Sequence, residues 1–202
     1  MRDPGVAVLP PLPGDDPQPW RVAHSRTVHQ DQWIHLRADA CDTAAGHRIE
    51  PFYVLDYADW VTIVALTPDD EVVLVREHRQ GAGGVIWGLP GGVMDAGEQD
   101  GAATARRELE EETGYLCGPI QPLLTTWANP ATHTNRVHAY LATGATLAGH
   151  RQLHPGEEVA TVLWPLARVV AAVLAGRMTV SSSHAATLLA AAAIRSSGEE
   201  RA

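Results

Sequence analysis

Cysteine is scarce in this chain: its 202 residues include two, Cys41 and Cys117. Two thiols without a paired motif exclude a disulfide scaffold and a cysteine-built zinc cluster. Basic residues are the minority charge, 15 Lys+Arg against 24 Asp+Glu, for a formal net charge of −9 at pH 7. Nucleic-acid affinity rests on phosphate neutralisation by cations, so this balance argues against a nucleic-acid partner. No apolar run approaches the ~18–20 residues of a membrane helix. The stretch after Met1-Arg2-Asp3-Pro4-Gly5 is too short in apolar residues for a signal peptide. The expectation is a cytoplasmic protein with no membrane partner. None of the ten His has HExxH spacing, so they read as ordinary polar residues. What is present is an apolar fraction of 45%, enough for a core. The length fits one domain with an appendage.

Residues 1–19 hold Pro4, Pro10, Pro11, Pro13, Pro17 and Pro19 and read as a mobile tail. From Trp20 onward, short β-branched or aromatic runs alternate with turn residues. Strands are predicted at Trp20–Val28, Trp33–Ala38, Pro51–Leu55, Val61–Leu66 and Val72–Arg76. Thr67-Pro68-Asp69-Asp70 has hairpin-turn chemistry. Gly81–Gly97 carries seven glycines and reads as mostly loop. Asp100–Thr113 reads as a helix, with Asp100 as N-cap and Gly114 as its stop. Strand-like runs return at Leu123–Trp127, Arg136–Leu141 and Val159–Trp164. Pro165–Ala175 and Ser183–Ile194 read as helices, and 196–202 as a polar tail. This order predicts an α+β sandwich with helices packed on a mixed sheet.

The most informative segment is Arg106-Arg107-Glu108-Leu109-Glu110-Glu111-Glu112-Thr113-Gly114. On a helix, Glu108, Glu111 and Glu112 share one stripe, while Ala102, Ala105 and Leu109 face a core. Glu110 falls on the outer side, within reach of an i,i+4 pair with Arg106. The stripe is unfavourable twice over. Like charges at i,i+4 cost ~0.2–0.5 kcal/mol. Anions near a helix C-terminus oppose the macrodipole by ~0.3–1 kcal/mol each. Clustered hard oxygen donors want a hard cation, Mg²⁺ or Mn²⁺. The preceding loop, Leu89-Pro90-Gly91-Gly92-Val93-Met94-Asp95-Ala96-Gly97-Glu98, allows close backbone approach and is a cradle for a metal–phosphate substrate.

Gly92, Glu98, Arg107-Glu108-Leu109, Glu111-Glu112 and Gly114-Tyr115 resemble the Nudix box, G-x5-E-x7-R-E-U-x-E-E-x-G-U. Eight residues rather than seven separate Glu98 from Arg107, so one is inserted before the helix. The insertion bears on where Glu98 sits more than on the Glu108/Glu111/Glu112 trio. Val75-Arg76-Glu77-His78-Arg79 and Trp87-Gly88-Leu89-Pro90-Gly91-Gly92 are similar to the run before the box in ADP-ribose and nucleoside-diphosphate-sugar pyrophosphatases. Those relatives usually have Glu where Gly88 stands. Pro130, 15 residues after Tyr115, matches a marker of the ADP-ribose subgroup.

The resemblance implies a Nudix-type α/β/α sandwich with a mixed sheet over 60–195, preceded by a small antiparallel β subdomain at 20–59 that dimerises. It implies hydrolysis of the diphosphate in a nucleoside diphosphate linked to another moiety: ADP-ribose to AMP and ribose 5-phosphate. The alternatives are other NDP-sugars, NADH, dinucleoside polyphosphates or coenzyme A, and a non-catalytic ADP-ribose-binding module. In the implied site Glu108, Glu111 and Glu112 hold Mg²⁺, or Mn²⁺ in its place, with Glu98 and Gly92 as further candidates. Arg107 orients the carboxylates. Glu157 or Glu158 is the general base, and Arg76, Arg79 and Pro130 contact substrate.

Overall fold

The computed structural model describes residues 17–95 and 97–199, which form two compact units divided between Asp56 and Tyr57. The proline-rich tail, apart from residues 17–19, lies outside the described residues.

The first unit is an antiparallel sheet of β1 (Arg21–Gln30), β2 (His35–Asp42) and β3 (Arg48–Asp56) in that order. β3 starts before the apolar run at Pro51. Asp42 stands opposite Arg48 in the ladder, and Arg48 Nε donates to Asp42 at 2.6 Å, so a cross-strand ion pair extends the strand where hydrophobicity ends. Arg37 ties β2 to β3 in the same way, through Asp56 at 2.5 Å.

The second unit contains β4 (Trp60–Ala65), β5 (Glu71–Arg79), β6 (Gly84–Gly88), α1 (Gly101–Thr113), β7 (Tyr115–Leu116), β8 (Ile120–Trp127), β9 (Arg136–Ala142), β10 (Thr146–Leu147), β11 (Val159–Pro165), α2 (Leu166–Leu174) and α3 (Ser182–Glu199). β4 runs parallel to β9, which pairs antiparallel with β8. β5 lies between β11 and β6, antiparallel to both. β4 and the first half of β5 are buried on both faces and alternate between two cores. Val61, Ile63, Ala65 and Val73 pack with Ala105 and Leu109 of α1. Val64, Leu66, Val72 and Leu74 pack with Val169 of α2 and Leu188 and Ala191 of α3. This is a helix–sheet–helix sandwich with mixed strands.

Three details depart from the sequence expectation. Residues 84–88 form a strand inside the glycine-rich stretch, because Val85, Ile86 and Trp87 complete the ladder of β5 opposite His78, Glu77 and Arg76. β7 and β10 are too short to carry a hydrophobic period and are held by their pairing with each other. α3 continues through residues 196–199, where a polar tail was expected. Ser196 and Ser197 return their hydroxyls to Ala192 and Ala193 carbonyls. No helix among the described residues is long and apolar enough to cross a membrane.

Candidate active site

α1 is framed by its caps. Asp100 accepts from Ala102 N at 3.1 Å and Ala103 N at 3.2 Å. Gly114 adopts φ 75° and donates to Glu110 O at 2.7 Å. The residue inserted relative to the box therefore lies in the loop, and the helix phase from Gly101 onward is intact. With Ala105 and Leu109 fully buried against the sheet, Glu108 and Glu112 are turned toward the Pro90-Gly91-Gly92 loop.

That loop runs along β4: Ile63 N donates to Pro90 O at 3.0 Å, Val61 N to Gly92 O and Met94 N to Asp59 O, both at 2.9 Å. Two glycines are required there. A Cβ on Gly91 would stand 2.2 Å from Val61 O, and one on Gly92 would stand 2.5 Å from Glu108 Cδ. Gly91 lets the loop lie against β4, and the side chain missing at Gly92 is the room in which Glu108 sits. Gly92, expected as a metal contact, has its carbonyl accepting from Val61 N.

The carboxylates differ. Glu112 Oε2 accepts from Gly91 N at 3.2 Å. Burial, with the charges of Glu77 and Glu108, pushes its pKa up to about 8, against the pull of the Gly91 N–H and of Arg79. Burial also raises Glu108 above the usual carboxylate range; Arg107 opposes, and Glu111 and Glu157 add to the rise. Glu111 is held by Arg107 Nη1 at 2.7 Å, while Arg107 Nη2 reaches Glu108 at 3.0 Å. Arg107 thus spans two of the three. Among the described residues, no three acidic, His or Cys side chains converge into a ready metal cage. The trio shares a helix face without being preassembled around a point.

The other candidates have distinct places. Glu98 stays within its own loop, accepting from Asp95 N at 3.2 Å. Glu157 closes a turn by accepting from His154 N at 2.9 Å, yet its charge reaches Glu77 and Glu108. Glu158 is exposed beside it, just before Val159 pairs with Glu77. Arg79 binds Glu77 at 2.5 Å, and its charge acts on Glu112. Arg76 is exposed and stacked 4.8 Å over Trp87. Pro130 lies on the rim of a pocket of about 300 Å³ with Trp127, His133 and Thr134.

Two residues were missed. Glu77 is half-buried with a raised pKa, from burial first and Glu157 next, opposed by Arg79. Its signal was strand alternation, since Val73, Val75 and Glu77 share one face of β5. His184, on α3, had no such signal. It accepts from Leu89 N at 3.3 Å, a contact separated by 95 positions. One expected pair is absent: Arg106 donates to Cys117 O at 2.7 Å and to Gly118 O at 3.2 Å, and no ion pair with Glu110 forms among the described residues.

A NUDIX domain model matches residues 56–181. The chain belongs to the Nudix hydrolase family. Residues 20–55 match the nucleoside diphosphate sugar hydrolase N-terminal domain. The chain is 32% identical to an ADP-ribose pyrophosphatase of Mycobacterium tuberculosis, over 81% of this chain and 79% of that one. It is also 32% identical to the CMP-5'-(N-acetyl-N-hydroxy-3-aminopropyl)phosphonate hydrolase of Streptomyces rubellomurinus, over 85% of this chain and 81% of that one. A crystal structure titled as an ADP compounds hydrolase superposes with TM-score 0.77 at 20% identity, covering 91% of this chain and 96% of that one, a likeness of fold.

Proposed function

We propose that this Nudix hydrolase cleaves the diphosphate of ADP-ribose, giving AMP and ribose 5-phosphate, with Mg²⁺ or Mn²⁺ as cofactor. The supporting observation is Glu112: a half-buried carboxylate held against Gly91 N–H, near Glu108 and Glu77, with its pKa pushed to about 8. Burying like charges is unfavourable unless a cation joins them. The donors fit a hard divalent ion. All are carboxylate oxygens, and the loop is cut back at Gly92 to admit Glu108. Glu108, Glu111 and Glu112 would hold the ion. When bound, it supplies charge neutralisation at the diphosphate oxygens and acidifies water.

The chain's own groups do the rest. Arg107 orients Glu108 and Glu111. Arg79, anchored by Glu77, carries a positive charge that acts on Glu112 and suits a phosphoryl oxygen. Glu157, whose charge already reaches Glu108, takes the proton from the attacking water, with Glu158 next to it as the other candidate. Glu98 and Gly92 remain secondary contacts, and Arg76 and Pro130 substrate contacts. The catalytic domain is residues 60–195, within the second unit. The 20–59 unit carries exposed Trp20, Val22, Val28 and Trp33 and serves dimer formation.

The relative acting on a CMP-linked phosphonate favours one second reading, another nucleotide-linked substrate for the same chemistry. A panel of ADP-ribose, NDP-sugars, NADH, dinucleoside polyphosphates, coenzyme A and CMP-linked compounds, each with Mg²⁺ or Mn²⁺, tests this. Cleavage of ADP-ribose with the highest kcat/KM supports the first reading. Preference for a CMP compound supports the second, and cleavage of none overturns both.

A further inference from the structure

The mechanism leaves one half-buried imidazole without a task. His184 lies in the first turn of α3, where Ser181 Oγ accepts from His184 N at 3.2 Å and fixes the turn. Its Nδ1 accepts from Leu89 N at 3.3 Å. A backbone amide can only donate, so Nδ1 is the bare nitrogen and the ring proton sits on Nε2. Burial, seconded by the charge of Arg79, pushes the imidazole pKa down to about 4, so the ring is neutral across the physiological range.

Position 88 explains how the ring fits. A Cβ on Gly88 would stand 3.3 Å from His184 Cε1, 3.5 Å from His184 Nδ1 and 3.3 Å from Val75 Cγ2. Val75 is fully buried and paired with Gly88, so it cannot yield. Any side chain at 88 therefore presses on the imidazole. Gly88 and His184 work as a pair.

Beyond Leu89 the chain reaches Pro90, which has no N–H, and then Gly91, whose N–H donates to Glu112 Oε2 at 3.2 Å. The two amides of this run thus hold two different side chains, His184 and Glu112. We infer that His184 is a positioning residue: through Nδ1 it fixes the Leu89 amide and, together with Ile63 N–H on the Pro90 carbonyl, the direction in which Gly91 N–H meets Glu112. The inference deepens the hydrolase reading and rests on it for its kinetic consequence.

The test compares wild type with His184→Phe, which fills the ring volume without an acceptor, and His184→Asn, whose Oδ1 takes the place of Nδ1. Amide hydrogen exchange at Leu89 and Gly91 is measured without metal, and kcat and KM on ADP-ribose with Mg²⁺. In His184→Phe both amides exchange about tenfold faster, and kcat falls ~10–100-fold, as for residues that orient a ligating group. KM stays within about twofold, and His184→Asn recovers both readouts to within about threefold, as an interaction lost from the transition state alone requires. Wild-type exchange and kcat in the Phe variant, or an Asn variant as impaired as Phe, overturns the inference. If His184→Phe does not fold, His184→Leu, a smaller side chain that also lacks an acceptor, carries the test. Faster exchange at Leu89 and Gly91 with a lower kcat then supports it, and unchanged values overturn it. A wild-type enzyme inert toward every substrate defeats the hydrolase reading instead, while the exchange data still decide the role of His184.

Discussion

The two sides of α1 carry charge under opposite terms. On the outer side, Arg106 gives its guanidinium to the carbonyls of Cys117 and Gly118 in an exposed setting, where water can replace either partner. On the inner side, Glu108 and Glu112 are half-buried near each other and near Glu77, and one backbone amide from Gly91 is what Glu112 receives. One helix thus bears a charge in a comfortable place and two in a costly one. Stability alone selects the first arrangement. The second is costly, and that asymmetry is why the proposed function is placed on the inner face.

The largest test of this contrast is Glu112→Gln. It removes the inner anion with almost no change in volume. We expect kcat to fall at least ~100-fold, the scale on which preorganised charges at a reacting centre act. The metal-free variant should be no less stable than wild type at pH 8, because a neutral amide replaces a carboxyl whose ionisation is unfavourable. Near-normal turnover with Mg²⁺ would erase the distinction between the two faces.

Gly92→Ala sharpens the same point from the loop. The new methyl would lie 2.5 Å from Glu108 Cδ, so the carboxylate must leave its seat. A misplacement of about 1 Å costs on the order of 100-fold in rate. Activity should drop about that far while circular dichroism and the melting profile stay close to wild type. An active Gly92→Ala enzyme would separate Glu108 from the chemistry.

The third test is pH. Folding raises Glu112 from an ordinary 4.5 to about 8, so the metal-free folded state binds more protons than the unfolded state between those values. Stability from this group is therefore lost as pH rises through that window. His184 acts oppositely: its pKa falls from 6.5 to about 4, so stability is lost as pH falls from 6.5 toward 4. Of these two groups Glu112 alone contributes above pH 6.5, in the same direction as Glu108 and Glu77, which burial also raises. In EDTA the melting temperature should fall by several degrees between pH 6.5 and 8.5, and Mg²⁺ should recover more at pH 8.5 than at 6.5. A melting temperature flat across that range would mean the inner carboxyl is not under strain.

Much of this contrast was legible beforehand, for reasons that can be named. The α1 boundaries follow from Asp100 and Gly114, residues whose local chemistry decides their conformation. The stripe of Glu108, Glu111 and Glu112 follows from helical period. Long-range pairing was not legible. The strand at 84–88 is made by its partner β5, against its own glycine content. His184 reaches Leu89 only because α3 folds back over the sheet. Arg106 chooses the carbonyls of residues 117 and 118 over Glu110, although i,i+4 spacing favours Glu110. Local rules fixed which charges share a face; tertiary contacts decided which of them were satisfied.

The smallest expected effect belongs to the outer face, and it is what makes the others interpretable. Arg106→Ala deletes hydrogen bonds to Cys117 O at 2.7 Å and Gly118 O at 3.2 Å, 3.2 Å again from the second guanidinium nitrogen. The freed carbonyls are near solvent, so they are rehydrated, and the loss should be about 0.5–1.5 kcal/mol. Arg106 is next in sequence to Arg107, yet it points to the β7–β8 turn while Arg107 reaches Glu108 and Glu111. Turnover on ADP-ribose should therefore stay within about twofold, as for surface changes away from a site. A large fall in kcat at unchanged melting temperature would show that the outer face also feeds the reaction, and the division of α1 into a structural and a working side would have to be abandoned.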